Sequence, residues 1–142
     1  MKNADEISKS VGLLLLRAGT GGLLLYAHGW GKITHFSERA ATFADPIGLG
    51  SWWSFALVVL AEVFCSAALI LGLATRLAAI PIVIFSLVAV FVQHAADPFA
   101  KKELPLLYMI PALTLLLTGP GRFSIDALFA RKRAPRTDEI AP

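Results

Sequence analysis

The sequence predicts an all-α protein: a four-transmembrane-helix bundle with a short amphipathic C-terminal helix at the membrane interface. Three observations carry that expectation. Of 142 residues, 56% are hydrophobic and only 16% charged, with mean hydropathy +0.68, whereas soluble domains average roughly 45–50% apolar and about 25% charged residues. The apolar residues gather in four stretches, Val11 to Trp30, Trp52 to Leu73, Leu77 to Gln93 and Leu104 to Thr118. At about 1.5 Å per residue these measure roughly 22 to 33 Å, close to the roughly 30 Å of a hydrocarbon core. Most charges fall between the stretches. The net charge of +3 and pI near 9.3 come from short basic clusters beside apolar runs, which points to membrane topology and away from nucleic acid. One cysteine, Cys65, excludes an internal disulfide, a CxxC redox pair and a multi-thiolate metal site.

Each element has its own justification. Lys2 and Lys9 ahead of the first stretch suggest a signal peptide, but Arg17 lies within the run, Gly19, Gly21 and Gly22 interrupt it, and no small-x-small cleavage site follows. The stretch therefore reads as a retained span after a cytoplasmic segment of residues 1–10. The connection from Gly31 to Gly50 is the longest. In it Phe36, Ala40 and Phe43 have the spacing of one face of a short helix lying on the membrane, before an Asp45-Pro46 turn. Ser51 is placed to cap the second helix, and Trp30, Trp52 and Trp53 suit the interfacial aromatic belt. Pro81 and Pro111 should bend their helices, while Pro105 suits a first turn. Gly119-Pro120-Gly121 stops the fourth helix. Ser124 then opens an amphipathic segment with Ile125, Leu128 and Phe129, held to anionic headgroups by Arg131-Lys132-Arg133. The membrane domain covers residues 11–128, and a basic flexible tail follows over 129–142, disordered from Ala134.

Four spans place both termini on one side. The N-terminus, second connection and tail carry eight Lys and Arg residues, and the first and third connections carry four, which predicts cytoplasmic termini. Small residues should bring the helices together, as in the pairs Ala18 with Gly22, Ala61 with Cys65, and Ala68 with Gly72. Cys65 is read as a packing residue.

The informative residues are the ionisable ones in or beside the spans: Arg17, His28, Lys32, Glu62, His94, Asp97 and Glu103. A charge at the bilayer centre costs about 2.5–3.5 kcal/mol on insertion scales, so each needs a partner or a wet cavity. Arg17 and His28, eleven residues apart, fall within roughly 20° on a helix, with Lys32 and Gly21 near the same stripe and Tyr26 opposite. Glu103, Thr114 and Thr118 share one face of the fourth helix, and Glu62 shares one with Ser66. Depth counted from the tryptophans brings His28, Lys32, His94 and Glu103 to one outward mouth and sets Arg17 against Glu62 as an ion pair. Plainer readings stay open: Arg17 and Glu62 as pins of helix register, His28 and His94 as interfacial hydrogen-bonding residues. A zinc or iron site from His28, His94 and Glu103 has suitable ligands but no HxxxH or ExxH spacing, so no metal is expected and a proton relay suits the residues better.

These residues resemble the DoxX family. The resemblance rests on Leu16-Arg17, His28-Gly29 with Lys32, Glu62, Leu71-Gly72-Leu73 with Thr75-Arg76, His94, Glu103 and the closing Gly119-Pro120-Gly121-Arg122-Phe123-Ser124-Ile125-Asp126, from about Val11 to Leu128. It implies a small four-helix protein of the prokaryotic cytoplasmic membrane, with polar family positions at Arg17, His28, Lys32, Glu62, Arg76, His94 and Glu103. Relatives in that family include the membrane subunit of archaeal thiosulfate:quinone oxidoreductase, subunits linked to redox or thiol-stress defence, and distant eukaryotic cargo receptors. The expected function is thus a membrane subunit of a quinone-linked oxidoreductase. In it Glu62, Glu103 and Arg17 serve the proton chemistry, and His28, Lys32 and His94 bind quinone. Its partners would be membrane lipids and redox subunits, in a homo- or hetero-oligomer, with electrons from an external carrier because Cys65 alone forms no disulfide relay. The alternative is a non-catalytic scaffold or a binder of lipid or a small solute. A transporter ranks last, since the bundle has no broken inverted repeats.

Overall fold

A computed structural model describes residues 2–133, and among the described residues every regular element is helical. The tail expected from Ala134 lies outside them. Helix α1 covers residues 2–34, with α-helical turns Lys2–Leu23 and Trp30–Thr34 joined by a π-helical segment, Leu24–Gly29. A short helix α2, Phe36–Ala40, follows. Helix α3, Ser51–Leu71, contains a second π segment, Leu60–Cys65, and helix α4, Thr75–Gln93, ends in a third, Ala89–Gln93. Helices α5, Phe99–Thr118, and α6, Ile125–Arg133, complete the chain.

Among the described residues three helices are long and apolar enough to cross a membrane: Asn3–Thr34, Ser51–Leu71 and Thr75–Gln93. Helix α5 has 20 residues but opens with Lys101, Lys102 and Glu103 in its first turns. It packs along α4 and against α1, and it returns the chain to the end where α1 began, since the Arg122 amide meets the Ser10 hydroxyl at 3.5 Å. Because α5 starts at Phe99, Pro105 stands in its second turn and not its first, and the Lys101 carbonyl there loses its helical donor.

Polarity is arranged as lipid demands. Leu15, Leu23, Tyr26, Leu77, Phe91 and Leu117 face outward, while Arg17, Glu62, Ser66, Thr75 and Ser86 are fully buried among Leu24, Leu69, Ile82 and Leu115. Helices α1 and α3 touch through glycine. A Cβ on Gly21 would lie 2.6 Å from the Ser66 carbonyl, and one on Gly29 2.6 Å from the Glu62 carbonyl. The expected pair Ala18 and Gly22 does not serve here, because Gly22 has open space around it.

The first connection differs from expectation in two ways. Phe36, Ala40 and Phe43, expected to face the membrane, turn inward and pack onto Phe55, Val59 and Val63 of α3, with the Phe36 and Phe43 ring centroids 5.1 and 4.9 Å from that of Phe55. An aromatic core there buries more apolar surface than an interfacial face would leave wetted. Ser51 makes no capping bond; Gly50, at φ 93°, precedes the helix, and Asp45 instead gathers the Ser54 hydroxyl at 2.7 Å with the Gly50 and Leu49 amides at 2.7 and 2.9 Å.

Candidate functional site

The polar residues separate into two groups at opposite ends of the bundle. At one end Arg17 is 1% exposed. Its Nη1 donates to the Ile70 carbonyl at 3.0 Å and the Leu69 carbonyl at 3.4 Å, and its Nη2 donates to the Phe123 carbonyl. A rigid guanidinium fork is suited to satisfying several backbone acceptors at once, here the last turn of α3 and the segment after α5. Gly72 leaves room for it: its φ is +68°, and a Cβ there would collide with the guanidinium and lie 2.5 Å from Ser124 Cβ. Asp126 then accepts hydrogen bonds from the Ala74 and Thr75 amides at 2.7 and 2.9 Å, capping α4, while its own amide donates to the Gly72 carbonyl at 2.9 Å. Arg76 donates to the Leu117 carbonyl at 3.2 Å. The Gly72 turn and the closing GPGRFSID sequence thus interlock as a clasp around Arg17.

The expected Arg17–Glu62 ion pair is absent. Glu62, 2% exposed, pairs with Lys32, whose Nζ donates to Oε2 at 2.5 Å. Local structure explains the partner. The contact of Gly29 with the Glu62 backbone brings the two helices so close that Lys32, one turn past His28, stands against Glu62. Ser66, behind the carboxylate, turns its hydroxyl to the Ala61 carbonyl at 3.2 Å and steadies the π turn.

Above this pair opens a cavity of about 330 Å³. His28, Lys32, Glu62, Gln93, His94 and Tyr108 supply its polar lining, on walls made by Leu24, Val58, Phe85, Val88, Ala89 and Leu104, with Phe43, Ala44 and Pro46 from the first connection at its rim. The His28 and Tyr108 rings meet edge to face, centroids 5.6 Å apart at 83°. His94 Nδ1 lies 2.7 Å from Asp97 Oδ2, which fixes the ring and leaves Nε2 as its free nitrogen. Such a mostly apolar pocket with a few convergent polar groups is the usual form of a small-molecule site.

Of the residues singled out in the sequence, His28, Lys32, Glu62 and His94 are brought together, and Arg17 and Glu103 are not. Glu103 is exposed and outside the cavity lining. The inward face of α5 is not Glu103, Thr114 and Thr118, whose hydroxyls bond to carbonyls of their own helix, but Leu104, Tyr108, Ala112 and Leu115. Among the described residues no three His, Cys, Asp or Glu side chains are grouped as metal ligands. Sequence reasoning missed Tyr108, Gln93 and the roof from Phe43 to Pro46. Tyr108 had a signal: it is a phenol in an aliphatic helix, one turn from Leu104, and a buried tyrosine hydroxyl needs a polar neighbourhood.

The chain can now be set beside known proteins. It is similar to the inner membrane protein YqjF of Escherichia coli (strain K12), 29% identical over 138 residues that cover 93% of this chain and 99% of the relative. No solved structure matches it. The DoxX family profile matches residues 12–95, more than half of the chain and the part that contains Arg17, the Lys32–Glu62 pair and His94. The apolar helices and both matches lead to one conclusion: the chain belongs to the DoxX family of membrane proteins.

Proposed function

We propose that the protein is a membrane subunit of a quinone-linked oxidoreductase, with the cavity above the Lys32–Glu62 pair as its quinone head-group site. The observation that supports this most is the junction of a buried carboxylate–ammonium pair with His28 and Tyr108 on otherwise apolar walls. The donor set fits the group. A quinone ring is flat and apolar with two carbonyl oxygens; Leu24, Val58 and Phe85 suit the ring, and the His28 imidazole, Tyr108 phenol and Lys32 ammonium are donors for the oxygens. When bound, a quinone takes up or gives out two electrons and two protons. Glu62, screened from water, holds a proton or a charge beside Lys32, as intramembrane carboxylates on proton paths do. His94, positioned by Asp97 and partly exposed, connects the cavity to the surroundings. Arg17 has a positioning role in this scheme, and Glu103 lies outside it. Electrons come from a partner subunit.

The same proposal includes topology. Helix α5 is a fourth span, α6 lies at the interface, and both termini are cytoplasmic in a prokaryotic inner membrane. The excess of Lys and Arg on the clasp side supports this, as does the return of α5 to the start of α1.

The test is native mass spectrometry in mild detergent together with quinone reduction in membranes. His28→Ala and Glu62→Gln should each release retained quinone and slow its reduction. Wild-type protein that retains no quinone, with quinone-coupled activity unchanged in both variants, would leave the non-catalytic binder as the function.

A further inference from the structure

Beside the polar cavity lies a second, of about 350 Å³, between α3 and α4. Leu57, Leu60, Pro81 and Ile84 bound it, and Pro46 and Ile47 of the first connection roof it. Phe43, Pro46, Val58, Phe85 and Val88 line both cavities, so one layer of side chains is the wall of each. Their chemistry is opposite. The second cavity has a single polar side chain in its lining, Ser54, and that hydroxyl already donates to Asp45. Its rims are open to the side, with Leu57 48% and Ile84 55% exposed, on the apolar flank of helices long enough to span a membrane.

We infer that this second cavity is a tail site: it takes the polyisoprenoid chain of the quinone whose head occupies the polar cavity, and the quinone enters sideways from the bilayer between α3 and α4. This rests on the quinone reading above. An amphiphile dissolved in a bilayer has its chain among acyl tails, and access through the polar mouth would draw that chain through water. A lateral groove that borders the head site along this shared layer of side chains avoids that barrier. Because lipid is as apolar as the cavity, moving the chain between them gains little from the hydrophobic effect. The groove therefore acts by shape, giving the chain a place when the head is seated, and the consequence of filling it is steric.

Ile84→Trp and Leu57→Trp fill the groove from its two exposed rims, where a larger side chain does not disturb the core, and Leu117→Trp, 76% exposed, is the control. Each protein is placed in phospholipid nanodiscs with either a long-chain polyprenyl benzoquinone or the tail-less benzoquinone of the same head group, and binding is compared with wild type. Both groove variants should weaken the tailed quinone by about tenfold and leave the tail-less one within about twofold, while Leu117→Trp changes neither. Equal loss of both quinones, or loss of neither, overturns the tail site and leaves the head site standing. Wild-type protein that binds neither quinone overturns both. A phospholipid retained by wild type and displaced by Ile84→Trp, with tailed-quinone binding unchanged, reassigns the groove to bilayer lipid and overturns the inference.

Discussion

Arg17 and Glu62 are both buried charges, and different physics satisfies each. Arg17 bonds only to backbone carbonyls, on two separate segments. A lysine has the charge without the planar fork, so Arg17→Lys should lower thermal stability in mild detergent nearly as far as Arg17→Gln, by about 2–4 kcal/mol; full stability of the lysine variant would show that charge alone suffices. Glu62 is held by one ammonium that is itself 19% exposed. Glu62→Gln should therefore cost about 2 kcal/mol, less than for a fully buried pair, and the double variant Lys32→Met with Glu62→Leu should recover most of it. A thermal double-mutant cycle measures this, and purely additive losses would mean that the pair is not coupled. That these residues are buried was legible in the sequence; their partners were not. A depth counted from Trp30 on one helix and Trp52 on the other treats the two tryptophans as level. The contact of Gly29 with Glu62 sets Trp30 across from about residue 61, roughly 13 Å along α3 from Trp52. Nor does any pattern of side chains announce that an arginine will bond to carbonyls.

At the scale of elements, all three membrane-length helices carry a π segment, and residues from each line the cavity: His28, Glu62 and Gln93. A π turn inserts one residue and rotates everything beyond it. Gly21 and Gly29, eight apart, would lie roughly 80° apart on a plain helix, but with one inserted residue between them they return to within about 20°. That is how both reach α3, and why the small-residue spacing of four in the sequence pointed to Gly22 instead. The boundaries and apolar faces of α3 and α4 were legible because long runs average over such a phase shift, whereas contact registers were not. The first connection depends on Asp45, whose carboxyl is held below the ordinary carboxylate range by the Ser54 hydroxyl first, then by the Gly50 and Leu49 amides. A depressed pKa stabilises the fold fully above the unfolded value, about 3.9, and the contribution is lost as pH falls through the lower folded value. Near pH 5 the loop should thus remain tethered in wild type. Asp45→Asn should then speed hydrogen exchange at Leu49 and Gly50 while leaving α4 and α5 unchanged. Equal protection in the two proteins at pH 5 would mean that the carboxylate does not hold the loop.

Across the whole molecule the two ends have opposite designs. The clasp end is closed by interlocking backbone and side-chain bonds around Arg17, Gly72 and Asp126, and the other end leaves a cavity between the helices, floored by the Lys32–Glu62 pair and rimmed by the first connection. Of the motifs shared with the family, the Gly72-x-x-Thr75-Arg76 turn and the closing GPGRFSID lie at the closed end and His28-Gly29-x-x-Lys32 at the open one, so the family's sequence marks both the clasp and part of the candidate site, whose other members, Glu62 and His94, stand singly. If the ends are separable, damage to one should spare the other. Asp126→Ala frees the Ala74 and Thr75 amides at the start of α4 and should cost about 1–2 kcal/mol, as the loss of a helix cap does. Ala74 itself sits at φ 45°, a left-handed conformation that glycine adopts without steric cost, so Ala74→Gly should add about 1 kcal/mol of stability. Neither change should alter ligand binding per folded molecule. Thermal unfolding in detergent reads the first effect and ligand retention by native mass spectrometry the second. If Asp126→Ala empties the cavity in protein that is still folded, the closed end sets the geometry of the open one, and the clasp belongs to the binding machinery.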